Sequence, residues 1–256
     1  MQHFMDPTGP PHFIRKASAF LDLTDGERDG MLANLANATK VAAGRIVRHR
    51  GEPVERVLIL VSGAMVETIT GRDGRAQNFR FLFPGDSIGG EEIAANHHAN
   101  DVRTLVPTSY AWVPKAAVPT DGDTRISRLF FAVRLAEQAI LNDRLRVVGR
   151  ERAEHRIIHL MLELHARQRL TVPDLGDRVW RPFPQVDIGD ALGLTNVYVS
   201  KTLRRLREEG ALMVEGNVVT LGDPVALAER VGFTDRYADI DLARIQGPIG
   251  FAAAAE

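Results

Sequence analysis

One stretch constrains this chain more than any other: Pro184-Gln185-Val186-Asp187-Ile188-Gly189-Asp190-Ala191-Leu192-Gly193-Leu194-Thr195-Asn196-Val197-Tyr198-Val199-Ser200-Lys201. Two short helices that cross steeply need a small residue at the crossing, and Gly189 supplies it. The turn between them needs a residue tolerant of positive φ, which Gly193 supplies four positions on. Ile188, Leu192, Leu194 and Val199 form a miniature core that fixes the crossing angle, and Leu203 and Leu206 extend it from Val199 at helical spacing. Thr195 is placed to cap the second helix through its hydroxyl. The pattern predicts a helix-turn-helix.

The outer face of the second helix carries Asn196, Val197, Tyr198, Ser200, Lys201, Arg204, Arg205 and Arg207, and from Thr195 to Arg207 there are four cations and no acid. A helix that enters a major groove needs N-terminal side chains for base edges and flanking cations for phosphates. Thr195, Asn196, Val197, Tyr198, Ser200, Lys201, Arg204 and Arg205 are therefore the candidate DNA contacts, with Asn196 and Lys201 assigned to bases and Arg204 to phosphate. Tyr198 serves a phosphate or half-buried packing equally well. Ala211 to Leu221 follows as a hairpin turning at Glu215-Gly216-Asn217, which reads as a wing. The bland reading of the same residues is an ordinary helical hairpin whose arginines form a solvated face.

Upstream, the chain changes character. From about Ala42 to Pro114 short strands alternate with glycine turns: Val54–Val61, Ala64–Thr70, Gln77–Phe83 with Phe79, Phe81 and Phe83 alternating, Val102–Val106 and Tyr110–Val113. Such a run predicts a small antiparallel barrel or roll. From Asp123 to Arg169 there is no proline, and Ile126, Leu129, Phe130, Val133, Ala136, Ile140, Leu141, Leu145 and Val148 recur at helical spacing. Two helices meeting near Gly149–Arg152 fit better than one unbroken helix, because Gly149 costs about 1 kcal/mol relative to alanine inside a helix. The expected fold is α+β: an N-terminal tail (1–16), an antiparallel β-roll (17–122), a long helix and hinge (123–150), a winged helix-turn-helix (151–233) and a C-terminal tail (234–256), frayed from Gly247 to Glu256.

Composition removes several function classes. With 32 Lys and Arg against 33 Asp and Glu, the formal charge is −1, which argues against coating nucleic acid by bulk charge but allows a local basic surface. The chain has no cysteine, so disulfides, thiolate zinc sites, cysteine-ligated iron–sulfur clusters and thiol switching are excluded. Val57–Val61 is too short for a membrane span, and Met1–Pro11 has no apolar signal region, so no membrane association and a cytoplasmic location are expected. Gly85-Asp86-Ser87-Ile88-Gly89 matches the nucleophile-elbow pattern of serine hydrolases. That elbow needs a buried strand before the serine, a helix after it and βαβ surroundings, whereas Pro84 ends the strand here. A turn in an antiparallel roll explains both glycines, and no enzyme activity is expected.

Leu58-Ile59-Leu60-Val61-Ser62-Gly63, Asp73-Gly74-Arg75, Phe83-Pro84-Gly85-Asp86 and Ile88-Gly89, together with the helix-turn-helix, resemble the CRP/FNR superfamily of bacterial transcription regulators across about Ala17 to Phe233. The resemblance implies a cyclic-nucleotide-binding-like jelly roll as sensor, a long dimerisation helix and a C-terminal winged helix-turn-helix. It also implies a homodimer reading a two-fold operator, with RNA polymerase as a partner. Phe130, Val133, Glu137, Ile140, Leu141 and Arg144 on the long helix are the candidate dimer contacts.

The sensor departs from the family pattern. The cAMP-binding branch supplies a Gly-Glu pair for the ribose and an Arg-Ser pair for the cyclic phosphate. Here Gly89 matches, but Gly90 follows with Glu91 and Glu92 displaced, and Asn100-Asp101 stands where the Arg-Ser pair belongs. A carboxylate beside a phosphate is repulsive, and Arg103 is displaced along the strand. Gly89, Glu91, Glu92, Asn100, Asp101 and Arg103 remain the candidate effector residues, without cAMP. The iron–sulfur branch is excluded by the missing cysteines, and haem through His49, His97 or His98 is disfavoured, since histidines on a polar loop are ordinary surface. The roll then binds an unidentified small anion or metabolite, or has lost its effector, leaving control to protein partners or abundance. In the reading helix, Val197 and Lys201 stand where relatives often carry glutamate and arginine, so the operator should differ from the family's usual half-site.

Overall fold

The computed structural model describes residues 11–244 except Glu91 and 119–123. Helix α1 (His12–Ser18) and the capped helix α2 (Asp25–Ala33) precede eight strands: β1 (Thr39–Val41), β2 (Ile46–Arg48), β3 (Arg56–Ser62), β4 (Met65–Thr70), β5 (Ala76–Leu82), β6 (Ser87–Ile88), β7 (Asp101–Thr104) and β8 (Thr108–Pro114). They form two antiparallel four-stranded sheets, ordered β1-β8-β3-β6 and β2-β7-β4-β5. In β3 the run Val57-Leu58-Ile59-Leu60 is buried on both faces. Leu58 and Leu60 point into the roll with Met65, Leu82, Ile88 and Val102, while Val57 and Ile59 face a groove beside Phe13 and Phe130.

A bulge in β5 decides how the roll meets the rest of the chain. Glu67 pairs with Arg80 and Thr68 with Asn78, leaving Phe79 as the extra residue. The three phenylalanines expected to share one face are thereby split. Phe81 and Phe83 pack outward into the core of the C-terminal half, whereas the backbone carbonyl of Phe79 accepts a hydrogen bond from Arg144. Phe81 stacks on Phe183 with ring centres 4.0 Å apart, and Phe83 tilts against Trp180.

Helix α3 (Arg125–Arg150) and helix α4 (Ala153–Arg169) break at Glu151–Arg152, inside the predicted joint, although Gly149 itself stays helical. They fold back on one another through the buried Arg144–Glu163 pair and the Arg167–Glu137 contact at 3.3 Å. Strand β9 (Arg178–Trp180), helices α5 (Gln185–Leu192) and α6 (Asn196–Glu208), strands β10 (Leu212–Glu215) and β11 (Val218–Leu221) and helix α7 (Pro224–Val231) complete the fold. Strands β10 and β11 are the expected wing hairpin, with β9 added at its far edge.

Two expected boundaries need correction. The first, at residue 16, cuts through α1, which begins at His12 because Ile14 and Ala17 pack against Met31, Leu129 and Val133. The second concerns the segment expected to be a tail from residue 234. Its described part packs on the molecule: Tyr237 is buried among Ala136, Ile140 and Leu170, and Ile240 and Leu242 join the α1–α3 cluster. A short irregular segment has no period, so nothing in its sequence announces burial.

Candidate nucleic-acid interface and effector pocket

The helix-turn-helix forms for the reasons its sequence suggests. Gly193 ends α5 in the left-handed region, φ +65 and ψ +37, and Leu194 N–H returns to the Gly189 carbonyl at 3.0 Å. A β-carbon on Gly189 would lie 2.5 Å from the Leu194 carbonyl oxygen, so the α5–α6 crossing admits no side chain there. Ile188, Leu192, Val199, Leu203 and Leu206 are buried together. The Thr195 hydroxyl accepts from the Tyr198 N–H at 3.3 Å and caps α6.

Asn196, Val197, Ser200, Lys201 and Arg204 share one exposed face of α6 and line a shallow concavity with Gln185, the first residue of α5. Gln185 was not among the expected contacts, since in sequence it reads only as a helix start. Val197 is 80% exposed at the helix tip. Tyr198 is 51% exposed, so half of it stays covered by the protein. Arg205 pairs with Glu154 of α4 at 2.7 Å and with Glu209 at 2.9 Å while its side chain stays 61% exposed. Its guanidinium ties the reading helix to α4. Arg204 keeps only a loose 3.9 Å approach to Glu208.

The candidate effector residues do not converge on a ligand site. Glu91 lies outside the described residues. Glu92 is buried and accepts from Ala99 N–H at 2.6 Å, contacts His98 Nδ1 at 2.7 Å and pairs with Arg48 at 3.3 Å. Asp101 accepts from the Arg50 N–H at 2.8 Å, and the Asn100 carbonyl from Arg48 at 3.3 Å. Arg103 is corrected, because it leaves the roll to bond Asp187 of α5 at 2.7 Å. Asp187 also accepts from Asn78 at 3.2 Å, so the roll grips the first helix of the helix-turn-helix directly. Gly89 lies beside Arg48, whose buried guanidinium bridges Glu67 and Glu92 inside the roll. That set does not fit a cyclic phosphate, since Arg48 is already paired with Glu67 and Glu92, and the carboxylate of Asp101 is engaged by the Arg50 N–H. His98, expected at the surface, is buried against Glu92, while His97 is exposed. No cluster of three or more metal-ligating side chains occurs among the described residues.

A cavity of about 170 Å³ lies between the roll and α3, lined by Glu67, Arg80, Asn100, Arg134, Glu137, Arg144 and Arg167 among others. Several of these belong to a buried ion node. Glu137 accepts from Arg80 at 2.6 Å and contacts Arg134 at 2.9 Å, Arg167 at 3.3 Å and Lys16 at 3.8 Å, while Asp86 binds Lys16 at 2.6 Å and Arg167 at 3.1 Å. Four of the six expected dimer contacts are therefore spent within the subunit: Glu137 in this node, Arg144 on Glu163, Val133 on α1 and Ile140 on Tyr237. Phe130 faces the Phe13 ring at 6.3 Å, and only Leu141 points outward.

A jelly roll, a long helix and a winged helix with a cationic reading face are the plan of a two-domain transcription regulator. The cyclic nucleotide-binding domain model matches residues 38–119, and the Crp-like helix-turn-helix domain model matches residues 155–230. Relatives include the anaerobic regulatory protein of Pasteurella multocida, 26% identical over 83% of this chain and 78% of that protein. The nitrogen fixation regulation protein FixK of Azorhizobium caulinodans is 30% identical over 62% of this chain and 64% of its own. The solved structure of FixK2 from Bradyrhizobium japonicum superposes with a TM-score of 0.67 at 26% identity, covering 75% of this chain and 96% of that one. The chain belongs to the CRP/FNR superfamily of transcription regulators, a family of regulators rather than enzymes.

Proposed function

We propose that the chain is a homodimeric DNA-binding regulator that reads a two-fold operator through helix 195–208. The observation that carries this is the face of Asn196, Val197, Ser200, Lys201 and Arg204, exposed and free of acids beside Gln185. Two such helices would dock in successive major grooves about 34 Å apart. Selection of bound DNA from a random library should enrich a two-fold motif; a protein that enriches nothing is a scaffold and not a regulator. Lys201→Ala is expected to relax base preference at one position per half-site. Arg204→Ala should instead weaken all sequences alike and lower the salt slope by about 1 per subunit. Equal losses on selected and random DNA in both variants would refute these assignments.

The dimer seam is read from what α3 leaves uncovered. Phe131, Leu135, Gln138, Asn142 and Leu145 are exposed, Leu145 by 74%, at alternating spacings of four and three. That is the a/d repeat of a two-stranded coiled coil, with Gln138 and Asn142 as its polar layer. Leu141 flanks it.

Control does not run through a cyclic nucleotide. Arg48 is paired with Glu67 and Glu92 inside the roll, and Asp101, at the position the family gives to a phosphate-binding pair, is a carboxylate held by the Arg50 N–H. Calorimetry with cAMP should give no micromolar binding, and a saturable isotherm there would reverse the reading. A second reading, an effector-less regulator set by partners or abundance, is favoured by the internal pairing of Arg48 with Glu67 and Glu92. RNA polymerase is the partner implied for output, and the cytoplasm the compartment. No described helix is long and apolar enough to cross a membrane.

A further inference from the structure

The helix-turn-helix match ends at residue 230, yet the following residues turn back across the molecule. Three consecutive side chains there grip three different places. Asp235 pairs with Arg169 at the end of α4. Arg236 makes two parallel bonds to Asp143 of α3, Nε to Oδ2 at 2.8 Å and Nη2 to Oδ1 at 3.0 Å. Tyr237 is only 2% exposed and sits at the ion node, with Lys16 Nζ 5.4 Å and the Arg167 guanidinium carbon 5.6 Å from its ring centre. Ile240 and Leu242 continue onto the apolar cluster of Leu129 and Val133.

Their place explains their geometry. Helices α3 and α4 are joined covalently only at Glu151–Arg152, and α4 ends far from that joint, where Leu170 reaches Ala136 and Ile140. Residues 235–237 lie across this open end of the hairpin, bonded to both arms at once. Arg144–Glu163, Arg167–Glu137 and the packing of Leu170 already hold the two arms together, and residues 235–237 add a further clamp near the hairpin's far end that resists their opening. The Tyr237 hydroxyl makes no hydrogen bond, so the residue contributes its ring and not a polar link.

We infer that residues 234–242 form an intramolecular strap that fixes the angle between the long helix and the DNA-binding unit. Release of the strap, and not flexing at the hinge alone, then governs how far the reading helix can be repositioned. The functional half of this inference rests on the proposed reading of α6, but the mechanical half does not.

Hydrogen exchange on the full-length protein tests it without DNA. Arg236→Asp and Asp143→Arg should each speed amide exchange in residues 140–147 and 163–170 roughly three- to fivefold, the range expected when one partly exposed bidentate pair is lost. Combining the two should restore slow exchange. Tyr237→Ala should speed it roughly a hundredfold, as loss of a buried ring would, and Tyr237→Phe should leave it unchanged. Acceleration confined to 234–244, or a charge swap no slower than either single variant while circular dichroism stays native, overturns the strap. On DNA selected by the wild-type protein, the single variants should show weakened affinity that the swap recovers; if the swap slows exchange but not affinity, the strap holds the hairpin without governing the reading helix. A wild-type protein that selects no DNA removes the regulator reading, and the exchange series still decides the strap.

Discussion

Glu137→Ala is expected to destabilise the protein by about 3–5 kcal/mol, the usual cost of removing one member of a buried charge group and leaving its partners uncompensated. Glu137 faces Arg80, Arg134, Arg167 and Lys16, contributed by β5, α3, α4 and α1. Burial by itself would raise its carboxyl, but Arg134, then Arg80, Lys16 and Arg167, outweigh that and hold it well below the usual carboxylate range. Asp86 behaves alike: burial pushes it up, and Arg167 and Lys16 bring it down by more. Lys16 moves the opposite way to a paired lysine, because burial, helped by the Arg167 charge, lowers it by more than Asp86 and Glu137 raise it. The two carboxylates set the acid limb. Their folded values lie below the ordinary 4.5 and 3.8, so the stability they supply is complete above those values and drains away as the pH falls through them. Lys16 has the opposite sign, a burial cost relieved as the pH rises through its lowered value. Urea unfolding of the wild type should therefore weaken steeply below about pH 4, and Glu137→Ala should flatten that dependence as well as lower the midpoint. A loss under about 1 kcal/mol would mean the node does not act as a unit.

Gly189→Ala carries the second large effect. The added β-carbon would sit 2.5 Å from a backbone oxygen, and the Leu194 N–H is already bonded to the Gly189 carbonyl. Backbone cannot rotate away as a side-chain end can, so α6 must shift relative to α5. The expected result is a stability loss of about 2–3 kcal/mol. Affinity for the selected operator should fall on the order of a hundredfold or more, since each half-site loses aligned base contacts worth about 1–3 kcal/mol. Gly149→Ala is the contrast. A β-carbon there meets nothing within 4 Å among the described residues, and the position is helical, so stability should hold or rise by up to about 1 kcal/mol with affinity kept. Thermal melts and binding isotherms on the pair decide the matter, and a functional, stable Gly189→Ala protein would sink the account of the crossing.

The contrast between those two glycines also shows what sequence could and could not announce. Gly189 was legible because its role is local: the residues that need its smallness lie within a few positions. The joint at Glu151–Arg152, the wing and the roll strands were legible for the same reason, since period and turn chemistry are short-range signals. Side-chain roles set by distant partners were not. The ion pair that Arg205 makes depends on Glu154, which lies in another helix and could not be read from α6 alone. Arg103 looked like an effector residue until α5 brought Asp187 beside it. The β5 bulge is subtler, because Phe79, Phe81 and Phe83 keep perfect alternation while the ladder slips by one residue. On α3 the apolar stripe was visible, but which part of it the roll and residues 234–242 would cover was not; Val133, Glu137 and Ile140 are covered within the subunit, and Phe131, Leu135 and Leu145 are exposed a step around the helix.

The polar pair Gln138 and Asn142 gives that exposed stripe a consequence of its own. If two copies pair through that stripe as proposed, a seam interrupted by amides would trade strength for fidelity: it would disfavour mismatched partners and shifted registers, yet hold two copies less tightly than an unbroken leucine seam. Where assembled pairs are the minority, their number grows with the square of the number of chains, so doubling synthesis raises the pairs about fourfold. Only pairs can span a palindrome. A dimer assembled this way would convert its own copy number into a graded threshold, with the cell's rate of making the protein serving as the message.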